Sequence, residues 1–200
     1  MNLVVMRHGE TDWNRCGRMQ GQLETSLNQT GYEQIRNACR KLFQRYAFAR
    51  ILSSPLLRAR QSAMVCGDYF QLPIEFVQQF SERRFGLLEG KTREEIYEQF
   101  QVSHPEEISD TRFGVESMDR LVERLVSGLE YLHAQYADET LLLLTHGSII
   151  RCLAGLGGQN IDRIGNGGFF ELDLGRIRKG YVRQLLGERD VLLHPGICKP

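Results

Sequence analysis

The sequence predicts an α/β fold, a three-layer sandwich in which helices flank a largely parallel mixed sheet. Two observations carry this reading. Short apolar runs, at residues 3–6 and 140–145, alternate along the chain with segments whose apolar residues recur every three or four positions. Two of these runs pass directly into histidine and glycine, as Met6-Arg7-His8-Gly9 and Thr145-His146-Gly147. In such sheets ligands sit at the carboxyl ends of the strands, so both histidines can face one crevice.

Taken in order, residues 3–6 read as a buried strand. Thr30 and Glu33 fit a capping box, and Ile35, Ala38, Cys39, Leu42, Phe43 and Tyr46 then mark an amphipathic helix. Residues 50–53 form a second strand. Ser54-Pro55 follows as N-cap and first helical residue, opening a helix to about Phe70. Residues 73–77 suit a third strand. Thr92 and Glu95 form another capping box before a short helix to about Phe100. Residues 101–115 are polar and irregular, part of a short lid at about 91–117. Ser117 caps a long helix with Leu121, Leu125, Leu129, Leu132 and Tyr136 on one face. Residues 140–145 are a fully buried strand, and Gly147 opens a helix through Leu156. Strands at 169–174 and 181–186 follow. With no repeat and no linker-like stretch, residues 1–200 read as a single domain.

Composition narrows the function classes. The 200 residues carry 25 Lys+Arg and 25 Asp+Glu, and 42% are hydrophobic, an ordinary globular balance. Net zero charge speaks against a nucleic-acid binder and against an acidic disordered chain. No run approaches the ~18 apolar residues of a membrane span. Five scattered cysteines without a CxxC pair form neither a disulfide framework nor a zinc pattern. Together with a start that lacks a secretory leader, they predict a cytoplasmic setting. The zero is unevenly distributed: residues 1–60 hold 10 basic and 4 acidic side chains, and residues 61–140 hold 7 and 16. Solvated helix faces explain such blocks. So does a convergence of cations on an anion.

Four places could carry chemistry. His8 lies between Arg7 and Gly9; the guanidinium disfavours imidazolium and keeps the ring nucleophilic. His146 precedes Gly147 at a helix start, where free N–H groups meet anions. Arg58, on the first turn after a strand, suits bidentate phosphate binding, with Arg60 a weaker candidate. Glu82, beside an anion-filled pocket, would have a raised pKa and could protonate a leaving oxygen. Metal binding is the rival for paired histidines, but flanking arginines repel a cation and further ligands are missing at ligand spacing. His104, His133 and His194 lack comparable company.

Together these segments resemble the histidine phosphatase superfamily, also called phosphoglycerate mutase-like. The matching stretches are Arg7-His8-Gly9-Glu10-Thr11 with Trp13-Asn14, Gly17-Arg18-x-Gln20-Gly21, Ser54-Pro55-Leu56-x-Arg58-Ala59-x-Gln61, Glu82 with Phe85-Gly86 and Glu89-Gly90, and His146-Gly147. The resemblance implies a phosphomonoesterase of the phosphatase branch, with no cofactor or metal. His8 would attack phosphorus, while Arg7, Arg58, His146 and the Gly147 N–H clamp the phosphoryl oxygens. Asn14, Gln20 and Gly21 would line the pocket, and Glu82 would serve as acid and base. The ligand would be a small phosphate ester, and a homodimer is compatible with this reading. Two alternatives stay open: a phosphoglycerate mutase, disfavoured by the short acidic lid, and an inactive phosphate-binding module, disfavoured by the intact set. Leu88 departs from the family's common tryptophan and is expected to remove an aromatic wall.

Overall fold

The computed structural model describes residues 1–108, 111–161 and 164–173. The elements run β1 (Asn2–Arg7), α1 (Asp12–Arg15), α2 (Gln29–Phe43), β2 (Arg50–Ser53), α3 (Leu57–Phe70) and β3 (Ile74–Phe76). They continue as α4 (Arg93–Phe100), α5 (Met118–Gln135), β4 (Thr140–Thr145), α6 (Gly147–Leu156) and β5 (Phe169–Asp173). The strand expected at 181–186 lies outside the described residues.

The sheet order is β3-β2-β4-β1-β5. β1, β2, β3 and β4 pair in parallel, and β5 closes the β1 edge antiparallel. Strand alternation makes the three layers, because successive side chains leave opposite faces. Val4, Met6, Leu142 and Leu144 pack with Ile35, Cys39, Ala63 and Cys66 of α2 and α3. Leu3, Val5, Leu141 and Leu143 pack with Leu121, Leu125, Ile149 and Leu153 of α5 and α6. A sheet covered on both faces needs continuous apolar strands, which explains four leucines in a row in β4.

Register then positions the site. Arg7 of β1 lies opposite Thr145 of β4, and Ser53 of β2 lies opposite Leu144. The three parallel strands therefore end level, and His8, Ser54 and His146 emerge side by side. The His8 N–H still donates to the Thr145 carbonyl at 2.9 Å, and the Ser54 N–H to Leu144 at 3.0 Å.

Two helix starts differ from the sequence reading. α2 begins at Gln29 with Asn28 as its cap, accepting from the Gly31 N–H, and Thr30–Glu33 forms no capping box. Asn28 wins because Glu10 also grips it, through its backbone and its side chain. α3 begins at Leu57, not at Pro55, and has no side-chain cap from its own N-cap residue. Its first N–H donates instead to the Glu24 carboxylate, across the fold, at 2.6 Å. The Ser54 hydroxyl accepts from the Leu56 N–H at 3.3 Å, ahead of the helix. The boxes at Thr92 and the cap at Ser117 form as read.

The lid segment is less polar than its sequence suggested. Ile96, Ile108 and Val115 are buried with Phe85 and Leu88 in a separate apolar cluster. Leu88 is fully buried there, so it fills this small core and is not a missing pocket wall. Arg83, 1% exposed, ties the segment down by donating to the carbonyls of Glu106, Ile108 and Glu116.

Gly9 packs backbone against backbone on α2: a Cβ there would lie 2.4 Å from the Gly31 carbonyl oxygen. Neither side can yield without moving a helix or the His8 loop. Gly9→Ala is expected to lower stability by about 1–3 kcal/mol in urea unfolding, and to reduce activity beyond that. An unchanged midpoint would show that this contact does not constrain the loop.

Candidate active site

Eight of the nine site residues expected from the sequence line one cavity of about 230 Å³: Arg7, His8, Asn14, Gln20, Gly21, Arg58, Glu82 and Gly147. The ninth, His146, lies directly behind it, fully buried, its ring centroid 5.2 Å from that of His8. Arg60 points away on the exposed face of α3, as its spacing from Arg58 implied.

His8 is held in a defined tautomer. Its Nδ1 lies 2.7 Å from the Gly9 carbonyl oxygen, which can only accept, so Nδ1 carries the proton. Nε2 is left with its lone pair. Burial, then the positive charges of Arg58 and Arg7, hold the His8 pKa well below 6.5. The sequence pointed to Arg7 as the cation responsible; desolvation is the larger cause, and Arg58 precedes Arg7. His146 is lowered in the same way, first by burial and then by Arg58, His8 and Arg7. Its Nε2 pairs with the Ser54 hydroxyl at 2.7 Å, and its buried Nδ1 has no partner among the described residues.

The cations are anchored by carbonyls. Arg58, 1% exposed, donates to Gly21 at 2.7 Å and to Leu23 at 2.9 Å, and its Nε is buried without a partner. Desolvation lowers its pKa to about 10, opposed by Glu82 and Glu24. Arg7 donates to the Ile164 carbonyl at 2.8 Å. Backbone carbonyls thus help to fix both guanidinium groups.

The amides are oriented by the same means. Asn14 Oδ1 accepts from Thr11 and from Asn166, and Gln20 Oε1 accepts from Thr11 and Thr25. With both oxygens occupied, the –NH₂ groups remain as donors. Gly21 has φ +51°, and a Cβ there would overlap the Glu89 carboxylate. Glu89 itself accepts from the Gln22 and Phe85 N–H groups, joining the loop to the segment after Glu82. Gly147 is the first residue of α6, and a Cβ there would sit 3.8 Å from the Arg7 guanidinium.

Glu82 is 9% exposed. One carboxylate oxygen accepts from the Arg83 N–H at 2.8 Å; the other lies 3.5 Å from the Ser148 N–H on α6. Its carbonyl is gripped by Gln22 and Arg124. Glu82 therefore stands in the wall of the cavity that Arg7, His8 and Arg58 also line.

Several supporting residues escaped the sequence reading. Ser54, which reads as a helix cap in the sequence, pairs with His146 as well as accepting from the Leu56 N–H. Ser62 accepts from the Gly9 N–H and donates to the Arg58 carbonyl; its position one turn past Arg58 was a usable signal. Asn166 binds the His8 and Gly9 carbonyls as well as Asn14, and a single asparagine in a glycine-rich stretch gives no signal at all. Arg18, Lys91, Arg93 and Arg151 rim the cavity.

The chain is similar to known proteins over most of its length. The model of the histidine phosphatase superfamily (branch 1) matches residues 3–172. The chain is 33% identical over 151 residues to the uncharacterized phosphatase PhoE of Bacillus subtilis, covering 76% of this chain and 74% of that one. It is 32% identical over 159 residues to a metal-independent phosphoserine phosphatase of Arabidopsis thaliana, covering 76% and 66%. A mycobacterial glucosyl-3-phosphoglycerate phosphatase complexed with VO3 superposes with a TM-score of 0.77 at 29% identity, covering 86% of this chain and 90% of that one. The chain belongs to the histidine phosphatase superfamily, branch 1.

Proposed function

We propose that this chain is a metal-independent phosphomonoesterase that hydrolyses a small phosphorylated metabolite through a phosphohistidine on His8. One observation carries the reading: a buried, neutral imidazole with Nδ1 committed to a carbonyl leaves Nε2 as the nucleophile in a cavity walled by Arg7 and Arg58.

The first step is attack of His8 Nε2 on phosphorus. The P–N bond forms as the ester P–O bond breaks, and Glu82 gives its proton to the leaving alkoxide. In the second step the Glu82 carboxylate takes a proton from water, the resulting hydroxide attacks phosphorus, and the P–N bond breaks. Phosphate leaves, and His8 and Glu82 return to their starting states. Phosphoryl transfer is accelerated mainly by positioning and by charge on the equatorial oxygens. Arg7, Arg58, the Asn14 and Gln20 amides and the Gly147 N–H are the donors. A phosphoryl oxygen between the two rings would also give the buried His146 Nδ1 its missing partner.

The small volume and the mixed rim, with Met19, Phe85 and Ile96 beside the outer cations, suit a compact alcohol. Arg18 and Arg93 pair with Glu95 and Glu106, which limits the charge free to retain a bisphosphate and favours hydrolysis over mutase chemistry. None of the described helices is long and apolar enough to cross a membrane. Among the described residues no cysteine is in a disulfide, in keeping with a cytoplasmic setting.

Hydrolysis of p-nitrophenyl phosphate tests the proposal. Turnover is expected between pH 5 and 8, unchanged by EDTA, and lowered roughly a thousandfold or more by His8→Ala. Absence of turnover, or loss of activity on chelation, would contradict it.

Burial of neutral histidines has a stability consequence. Both folded-state pKa values lie below the ordinary 6.5, so below that pH the unfolded chain takes up more protons than the folded one. The contribution is complete above pH 6.5 and is lost as pH falls through the folded values. Urea midpoints are expected to decline below pH 6.5, with a shallower decline in His8→Gln. Equal slopes for the two proteins would mean that His8 is not held neutral.

A further inference from the structure

A second concavity, of about 360 Å³, lies outside the catalytic cavity, behind the segment that carries Glu82. Its charge is unbalanced. Arg84, Arg120 and Arg124 line it, against the single carboxylate of Glu116. That carboxylate is already committed: both of its oxygens accept from Arg124, at 2.7 and 2.9 Å. Among the described residues, the Arg84 and Arg120 guanidinium groups have neither an ion pair nor a hydrogen bond, and both residues are exposed.

The wall supplies more than charge. Ser81, 1% exposed, has a hydroxyl with no hydrogen-bond partner among the described residues. Gln22, Gln78 and Gln79 complete the lining. Like charges around one concavity repel, and an anion seated between them removes that repulsion. Two guanidinium forks, a hydroxyl and side-chain amides offer more donors than the two oxygens of a carboxylate can accept. A tetrahedral oxyanion has the acceptors to match. The volume also leaves room for an organic body behind the anionic group.

We propose that this cavity is a second, non-catalytic anion site that takes the phosphoryl group of a phosphate-bearing metabolite or phosphate itself. Its place gives it a route to the chemistry. Gln22 and Arg124, both in its wall, hold the Glu82 carbonyl at 2.9 and 3.2 Å. Ser81 and Arg84 flank Glu82 and Arg83 in the chain. An occupant contacting these groups would bear on the segment that positions the carboxylate, without entering the catalytic cavity. The inference does not depend on the reaction proposed for His8.

Calorimetric titration of the full chain with inorganic phosphate tests it. Arg84→Ala/Arg120→Ala is expected to bind one phosphate fewer per chain than wild type, or to bind that phosphate weaker by about tenfold per arginine. Its thermal midpoint and its turnover of p-nitrophenyl phosphate in phosphate-free buffer are expected to match wild type. Identical phosphate stoichiometry and affinity in the two proteins would overturn the site. Succinate competing as strongly as phosphate would overturn the assignment to a phosphoryl group. Loss of turnover in His8→Ala bears only on the catalytic proposal, so the two can fail separately.

Discussion

Two guanidinium groups and two imidazoles crowd into one crevice at the carboxyl ends of β1 and β4, with Glu82 as the carboxylate in its wall. Charges of one sign held this close and this dry are expensive unless something fixes and solvates them. Backbone carbonyls supply part of this: Gly21 and Leu23 for Arg58, Ile164 for Arg7, Gly9 for the His8 Nδ1 proton. These dipoles come from loops far apart in the chain. The crevice therefore depends on the docking of residues 9–25, 58–62 and 164–168 onto one another. The glycines at 9, 21 and 31 permit the close backbone approaches that this requires. The imidazoles complete the solution by remaining neutral, which removes two of four potential positive charges and leaves the His8 Nε2 lone pair available.

Much of this was legible in the sequence, and the reason is local. A buried parallel strand is written as a continuous apolar run, and a polar residue at its end marks the crevice. That combination pointed to His8 and His146, and the position of Arg58 just after β2 pointed to a third residue that the fold brings beside them. What the sequence did not reveal depends on contacts between distant segments. Ser54 looks like a helix cap, and only the presence of His146 beside it and of Glu24 over α3 assigns it otherwise. Asn28 displaces Thr30 as the cap of α2 because Glu10 holds it. The lid reads as polar because its apolar residues are scattered at no regular period, yet Ile96, Ile108 and Val115 meet in a small core. Arg83, beside Arg84 in a charged stretch, looks like surface and is instead the donor that binds the lid's carbonyls.

The uneven charge along the chain also gains a structural meaning. The basic N-terminal part supplies Arg7 and Arg58 to the crevice, while acids of the middle part meet cations at its rim, Glu95 with Arg18 and Glu106 with Arg93. Two of the four rim cations are thus paired, Lys91 and Arg151 add positive charge beside them, and Arg7 and Arg58 place further charge in the depth of the cavity. A charge imbalance recurs on the other side of the Glu82 segment, where among the described residues the Arg84 and Arg120 guanidinium groups form no ion pair. One short stretch, residues 81–84, therefore contributes to both cavities and to the lid. Its backbone is held by Gln22, Arg124 and Glu116, which makes it the junction through which lid, acid and second cavity are mechanically joined.

The central claim is that the phosphoryl group passes through His8. Rapid-quench labelling with a ³²P-phosphomonoester during turnover, followed by alkaline digestion-compatible peptide mapping, tests it most directly. The account predicts acid-labile, alkali-stable label on the peptide containing His8, formed and consumed at rates that support the steady-state turnover. Turnover with label on another residue, or with no protein-bound label when formation is at least as fast as breakdown, would contradict it.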